Sequence, residues 1–164
     1  MRKAVELIKA NNTSRKSQVT RVTAESSIYN TKAWGNTEQR DFLNQVICIE
    51  TKLSAEELLD EILLIEQKMG RTRSFKFQVS SFKSQVSSKK WRPREIDIDI
   101  LFFNQQIINS INLQIPHPHL HERRFALVPL SEIAGDFIHP VLKKSVNELL
   151  NECEDKLEVS NHKP

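Results

Sequence analysis

Apolar positions along the chain change period several times, and each change marks an element. Val5, Leu7 and Ile8 recur among Lys3, Glu6 and Lys9 at helical spacing. No capping residue precedes this helix, which predicts that it begins upstream of Met1. Residues 17–30 are rich in Val, Thr and Ser and predict a strand with an irregularity near Ala24 and Glu25. A loop around Gly35 follows over residues 31–40. Residues 42–51 predict a strong strand, with Leu43, Ile47 and Ile49 on one face and Phe42, Asn44, Val46 and Cys48 on the other. Ser54 with Glu57 forms a capping-box signature, and the helix it opens carries Leu58, Leu59, Ile62, Leu63, Ile65 and Met69 before Gly70 stops it. Residues 95–103 alternate, with Ile96, Ile98 and Ile100 opposite Asp97 and Asp99. Asn104 and Gln105 predict a turn into a short strand at Ile107 and Ile108. Ile115-Pro116-His117-Pro118 must be extended. Residues 122–134 read as helix interrupted at Pro129. Ser145 and Glu148 repeat the capping box before a last helix to about Cys153, and the tail over 158–164 is predicted to be disordered. Together these elements predict an α+β fold, an antiparallel sheet with flanking helices.

Composition narrows the function classes. A chain of 164 residues is one domain's worth. Its 38% hydrophobic and 27% charged residues fit an ordinary globular protein. Only three glycines occur, Gly35, Gly70 and Gly135. A P-loop or a dinucleotide-binding fingerprint needs several glycines within a few residues, so both are excluded. Nucleotide phosphates would have to be held by charge and metal. The net charge of +3 conceals a concentrated basic segment: residues 71–94 hold eight Lys and Arg and no acid, leaving 16 bases against 21 acids elsewhere. Such a patch draws phosphates more strongly than a diffuse charge. Cys48 and Cys153 make neither a disulfide framework nor a metal spacing, and no apolar run reaches the roughly 18 residues of a membrane span. A cytoplasmic protein is expected.

The sharpest chemistry is Arg94-Glu95-Ile96-Asp97-Ile98-Asp99. In an extended segment, positions i and i+2 project the same way, roughly 6.6 Å apart. Asp97 and Asp99 therefore stand side by side and repel unless a cation lies between them. Hard oxygen ligands of this kind suit Mg²⁺, which takes one or two carboxylates together with phosphate oxygens. Arg71, Arg73 and Arg94 flank regular elements and are phosphate candidates. Acids beside arginines fit phosphoryl transfer, where positioning and charge neutralisation carry most of the catalysis. Between these arginines lies a tandem repeat, SFKFQVS over 74–80 and SFKSQVS over 81–87, identical at six of seven positions. Lys76 and Lys83 within it read as loop decoration. Trp91 reads as a lid over a ligand or a local anchor. Phe42 and Asn44 on one strand face suit a planar heterocycle, or ordinary core. His117, His119 and His121 alternate and raise zinc, but no nearby cysteine completes a site.

The motifs F-L-N at 42–44, E-x-x-x-G-R-x-R at 66–73, W-x-P-R-x-I-D-I-D-I-L at 91–101, I-P-H-P at 115–118 and R-x-F-x-L-x-P-L at 123–130 occur in one order. The chain resembles the 6-hydroxymethyl-7,8-dihydropterin pyrophosphokinase family of folate biosynthesis across about residues 3–140, apart from the repeat. The resemblance implies a ferredoxin-like α+β domain over residues 1–157, with a repeat-lengthened loop at 74–90. It implies transfer of the ATP β,γ-diphosphate to the pterin hydroxymethyl group, releasing AMP. Asp97 and Asp99 would then hold two Mg²⁺ ions. Arg71 and Arg94 would act with them in catalysis, Arg94 nearest the transferring group. Glu66, Arg73, Trp91, Ile98, His117 and Arg123 would serve the ATP side. Phe42 and Phe125 would sandwich the pterin, and Asn44 would bond its edge.

The sequence departs from that family in two places. The family opens with a strand, internal to its sheet, and a Gly-Ser-Asn-x-Gly turn, whereas Met1 here falls inside the helix that follows. The expectation is a truncated frame with impaired folding or activity. The repeat lengthens the catalytic loop by about fourteen residues, which folding tolerates because closure cost grows slowly with length. It would slow closure over ATP. The expected partners are ATP and the pterin, acting on a monomer, with no nucleic acid and no membrane. Two other readings stay open: a small nucleic-acid-binding module using the 71–94 segment, and a non-catalytic relative that retains ATP or pterin binding.

Overall fold

The structure, a computed structural model, describes residues 6–8, 20–31, 41–69 and 96–163. Residues 6–8 are helical, as their spacing predicts. The two strands expected at 17–30 and 42–51 are each divided. β1 (Arg21–Glu25) pairs antiparallel with β4 (Ile47–Glu50), and β2 (Tyr29–Thr31) pairs antiparallel with β3 (Phe42–Asn44). The breaks coincide at Ser26, which is buried. Its N–H donates to Val46 O at 2.9 Å and its Oγ accepts from Val46 N at 3.0 Å. Gln45 Nε2 donates to Ser26 O at 3.1 Å.

Extra residues on the first arm explain the bend. One register shift falls between Val22 and Ala24, close to the irregularity expected at Ala24. From the pair Glu25–Ile47 to the pair Tyr29–Asn44, one arm advances four residues and the other three. Each extra residue increases twist and re-aims the strand. The single face expected to join Phe42 and Asn44 to Val46 and Cys48 is therefore interrupted at residue 45.

α1 (Ala55–Lys68) carries the complete capping box of Ser54 and Glu57. It buries Ala55, Leu58, Ile62, Ile65 and Glu66 along one stripe. A 3₁₀ turn at Leu120–Glu122 leads into α2 (Arg124–Ala134). The interruption expected at Pro129 does not occur. Proline removes one backbone bond, but burial of Leu127, Pro129 and Leu130 keeps the helix on the core. α3 (Val146–Glu152) carries the second capping box, from Ser145 and Glu148. Gly135 ends α2 against it: a Cβ there would lie 2.6 Å from Asn147 Nδ2. Leu120, Leu127, Leu130, Val146, Leu149 and Cys153 form the main core, with Leu101, Phe102 and Phe137 packed on it. Ala55, Leu113 and Ile115 form a second cluster.

Residues 96–103 differ from expectation. Exposure alternates as predicted, with Asp97 and Asp99 outward and Ile96, Ile98 and Ile100 half-buried, but no strand ladder is assigned to them. Pairing depends on a partner strand, which side-chain alternation does not supply. The stretch is held instead by packing of Ile100–Phe103 into both cores and by His117 N donating to Leu101 O at 3.0 Å. β5 (Ile108–Asn109) and β6 (Gln114–Ile115) then form a short hairpin.

The predicted disordered tail is also corrected. β7 (Val159–Asn161) adds to the second edge of β2, giving the order β3-β2-β7. Backbone pairing with an open edge orders residues whose side chains carry almost no apolar signal. The fold is α+β, with antiparallel strands and flanking helices, and among the described residues its strands are divided over three small sheets. Among the described residues, no helix is long and apolar enough to cross a membrane.

Candidate active site

A cleft of about 880 Å³ lies between β4, the extended residues 96–104 and α2. Most of its lining is apolar, and onto it project Asn44, Asp97, Asp99, Arg123 and Phe125. Three segments far apart in sequence thus meet at one concavity. The structure also places Ile98 on this lining, between the aspartates.

Glu66 explains how the two aspartates are presented. It is only 1% exposed, and its Oε1 accepts from Ile98 N at 2.9 Å. The carboxylate replaces a ladder partner for the backbone between Asp97 and Asp99. Glu66 therefore meets the site through the backbone of Ile98.

Arg123 is the hub on the opposite side. Its Nη1 lies 3.6 Å from Asp99 Oδ2 and 3.2 Å from His117 Nε2, and its guanidinium carbon is 5.8 Å from the Phe125 ring centre. His117 Nδ1 lies 3.2 Å from His119 N. A neutral imidazole has a single acceptor nitrogen, so Nδ1 taking the His119 N–H and Nε2 taking the Arg123 guanidinium are alternatives set by the tautomer. With either tautomer the guanidinium is a donor, and its N–H groups not turned to the ring can meet an oxyanion. Burial, reinforced by Arg123, pushes the His117 pKa down against the opposing pull of Asp99, which keeps the ring neutral.

Asn44 is fixed by a residue the motif reading did not single out. Its Nδ2 donates to Oγ1 of the buried Thr31 at 2.9 Å. This holds the rotamer and leaves one donor hydrogen and the acceptor oxygen for a ligand. Phe42 lies two residues before Asn44 on β3 and is 53% exposed. It is not among the residues lining the cleft, whereas Phe125 is.

Arg71, Arg73, Trp91, Arg94 and the repeat lie outside the described residues. The zinc alternative at 117–121 gains nothing. His119 Nδ1 is 3.1 Å and His121 Nε2 is 3.6 Å from Glu122, an exposed acid–base cluster. Among the described residues, no group of three or more His, Cys, Asp or Glu is arranged to hold a metal ion. A pair of aspartates alone still fits Mg²⁺ that keeps phosphate and water oxygens as its other ligands.

Comparison with known proteins gives one consistent family. The family model described as 7,8-dihydro-6-hydroxymethylpterin-pyrophosphokinase matches residues 1–135. Three curated relatives carry the name 2-amino-4-hydroxy-6-hydroxymethyldihydropteridine pyrophosphokinase. The Aquifex aeolicus protein is 40% identical over 75% of this chain and 68% of its own length. The Haemophilus influenzae protein is 37% identical over 83% and 76%. The Synechocystis protein is 36% identical over 79% and 58%.

Proposed function

The chain belongs to the 7,8-dihydro-6-hydroxymethylpterin-pyrophosphokinase family, and on that premise we propose that the cleft is where the diphosphate of ATP passes to 6-hydroxymethyl-7,8-dihydropterin. The enzyme is a pyrophosphokinase of folate biosynthesis. In the reaction, the pterin hydroxymethyl oxygen bonds to the β-phosphorus of ATP and loses its proton. The bond from that phosphorus to the α–β bridging oxygen breaks, and AMP leaves with the bridging oxygen.

The observation that carries this reading is the meeting of Asn44, Asp97, Asp99, Arg123 and Phe125 on one cleft. Asp97 and Asp99 would hold Mg²⁺ with the ATP phosphates, and two such ions would neutralise the charge that opposes attack. Glu66 keeps both carboxylates outward by fixing the Ile98 backbone. Arg123, with neutral His117 beside it, offers charge-assisted donors to a phosphate oxygen. Asn44 meets the hydrogen-bonding edge of the pterin and Phe125 covers one ring face, while Phe42, exposed on β3 and off the cleft lining, would have to turn inward to cover the other. Arg71, Arg73 and Arg94, which lie outside the described residues, are assigned by their motif positions as further phosphate ligands, and Trp91 as an ATP-side residue. The enzyme acts as a cytoplasmic monomer without a nucleic-acid partner. Two free cysteines, one of them buried, are in keeping with a reducing compartment.

The test is AMP formation from ATP and the pterin, followed by chromatography across a Mg²⁺ series. Asp97→Ala and Asp99→Ala should each lower turnover by roughly 100-fold or more. Turnover unchanged in either variant refutes the metal-holding role.

A further inference from the structure

Two walls of the proposed pterin pocket belong to different units, the β2–β3 ladder with Asn44 and helix α2 with Phe125. One side chain ties them together. Glu132 Oε2 accepts from Ser27 N at 2.9 Å and from Tyr29 Oη at 3.1 Å, while Oε1 accepts from Ser27 Oγ at 2.9 Å. Both carboxylate oxygens are engaged by three donors, which fixes distance and rotation together.

The tie reaches the site in one step on each side. Tyr29 is the ladder partner of Asn44, and Thr31, at the other end of β2, accepts from the Asn44 amide. Phe125 precedes Glu132 by seven residues on α2, close to two full turns, so both occupy one face about 10.5 Å apart. Pro129 lies between them and lacks the N–H that would bond Phe125 O. The turn bearing Phe125 thus has one internal restraint fewer and depends more on outside contacts. Burial alone would push the Glu132 carboxyl up, but the bonds from Ser27 and Tyr29 outweigh it and hold the group below its usual value, ionised at neutral pH.

We propose that Glu132 is a positioning residue for the pterin: it sets the gap between the Asn44-bearing ladder and the Phe125-bearing helix without touching the substrate. The proposal rests on the reading of Asn44 and Phe125 as pterin contacts. It predicts a selective effect, because the ATP side is held by other groups, Glu66 at Ile98 and Arg123 at Asp99.

The experiment measures pterin affinity by fluorescence with Mg²⁺ and an unreactive ATP analogue, affinity for the analogue alone, and melting temperature. Glu132→Ala should weaken pterin binding roughly tenfold and leave the analogue within about twofold. Glu132→Gln should recover most of the loss. Its amide oxygen can accept from Ser27 N and Tyr29 Oη, and its amide nitrogen can donate to Ser27 Oγ. If Glu132→Ala does not fold, Tyr29→Phe removes one of the three bonds and should weaken the pterin about threefold. Asn44→Ala separates the two layers of the argument. Loss of pterin binding in Asn44→Ala but not in Glu132→Ala overturns the positioning role and leaves the site standing. No loss in either variant overturns the site reading and the proposal with it. An equal loss of both ligands in Glu132→Ala, with a lowered melting temperature, marks general loosening and also overturns the proposal.

Discussion

Replacing Glu66 with alanine removes the acceptor from a backbone N–H in the stretch that presents both aspartates. Glu66 is 1% exposed and sits 2.9 Å from Ile98 N. An N–H left buried without its acceptor costs about 1–3 kcal/mol. Losing the buried Cγ methylene of the side chain adds roughly 0.8 kcal/mol. The sum is about 3 kcal/mol, and at 2–4 °C per kcal/mol for a chain of this size the melting temperature should fall by roughly 6–12 °C. Glu66→Gln keeps an oxygen for Ile98 N and should cost about 1 kcal/mol. Both are read by thermal melts and urea titration of the full chain. A second readout reports the site: Mg²⁺-dependent binding of an ATP analogue should weaken in Glu66→Ala even at temperatures where the variant is fully folded. A melt within 2 °C of wild type with unchanged analogue binding would refute the idea that this carboxylate anchors the aspartate segment.

Two further outcomes follow from groups outside the cleft. His139 is buried, its Nδ1 accepts from Val141 N at 3.2 Å and Leu142 N at 3.1 Å, and burial followed by nearby His121 pushes its pKa down. The unfolded imidazole protonates near its ordinary 6.5 and the native one only at lower pH, so the unfolded state binds more protons as pH falls. The urea midpoint should therefore drop between pH 7.5 and 5.5, and His139→Gln should flatten that slope; an identical slope in the variant refutes the assignment. Ser145→Ala removes the N-cap of α3, whose Oγ accepts from Glu148 N at 3.2 Å, and should cost about 1 kcal/mol, read as a 2–4 °C lower melt.

How far the sequence could be read depended on whether a feature was local. Both capping boxes are complete within four residues, and both formed where Ser54 and Ser145 predict them. The alternation at 96–100 correctly marked which side chains face out, because side-chain direction follows from an extended backbone alone. It could not report the missing ladder, which depends on distant backbone. The break at residues 45–46 was marked only by Gln45, a polar residue on the face otherwise made by Leu43, Ile47 and Ile49. Its cause is the buried hydroxyl of Ser26 on another strand. β7 was hidden because a polar tail pairs through backbone groups that no side-chain pattern encodes. At the site, Asp97, Asp99, Asn44, Arg123 and Phe125 were legible as motif residues and meet on one cleft. What Glu66 touches was not legible, although a signal existed. It is an acid on the same helical stripe as Leu58 and Ile62, where an apolar residue would be the default.

The same physical device recurs at each segment that carries the site. Glu66 takes Ile98 N at 2.9 Å between the aspartates. Asp155 takes Arg124 N at 3.2 Å, one residue from both Arg123 and Phe125. Glu132 takes Ser27 N at 2.9 Å beside the strand that braces Asn44. In each case the donor lies where regular structure has run out: a stretch without a ladder, the first turn of a helix, and the joint between β1 and β2. A carboxylate accepting a backbone N–H is stronger than a neutral bond and needs no neighbouring strand. It can therefore hold a segment in place while leaving that segment's side chains directed at a ligand. A ladder would use the backbone of both strands and fix their spacing near 4.8 Å, too narrow to admit a substrate between them. Carboxylate anchors remove that limit, and they let the two halves of the cleft be perturbed separately. On the proposed reading of the site, Glu66 governs the phosphate half and Glu132 the pterin half. A double variant at these two positions, far enough apart to share no partner, should show additive losses in stability, whereas its ligand-binding defects should remain separate, one per substrate.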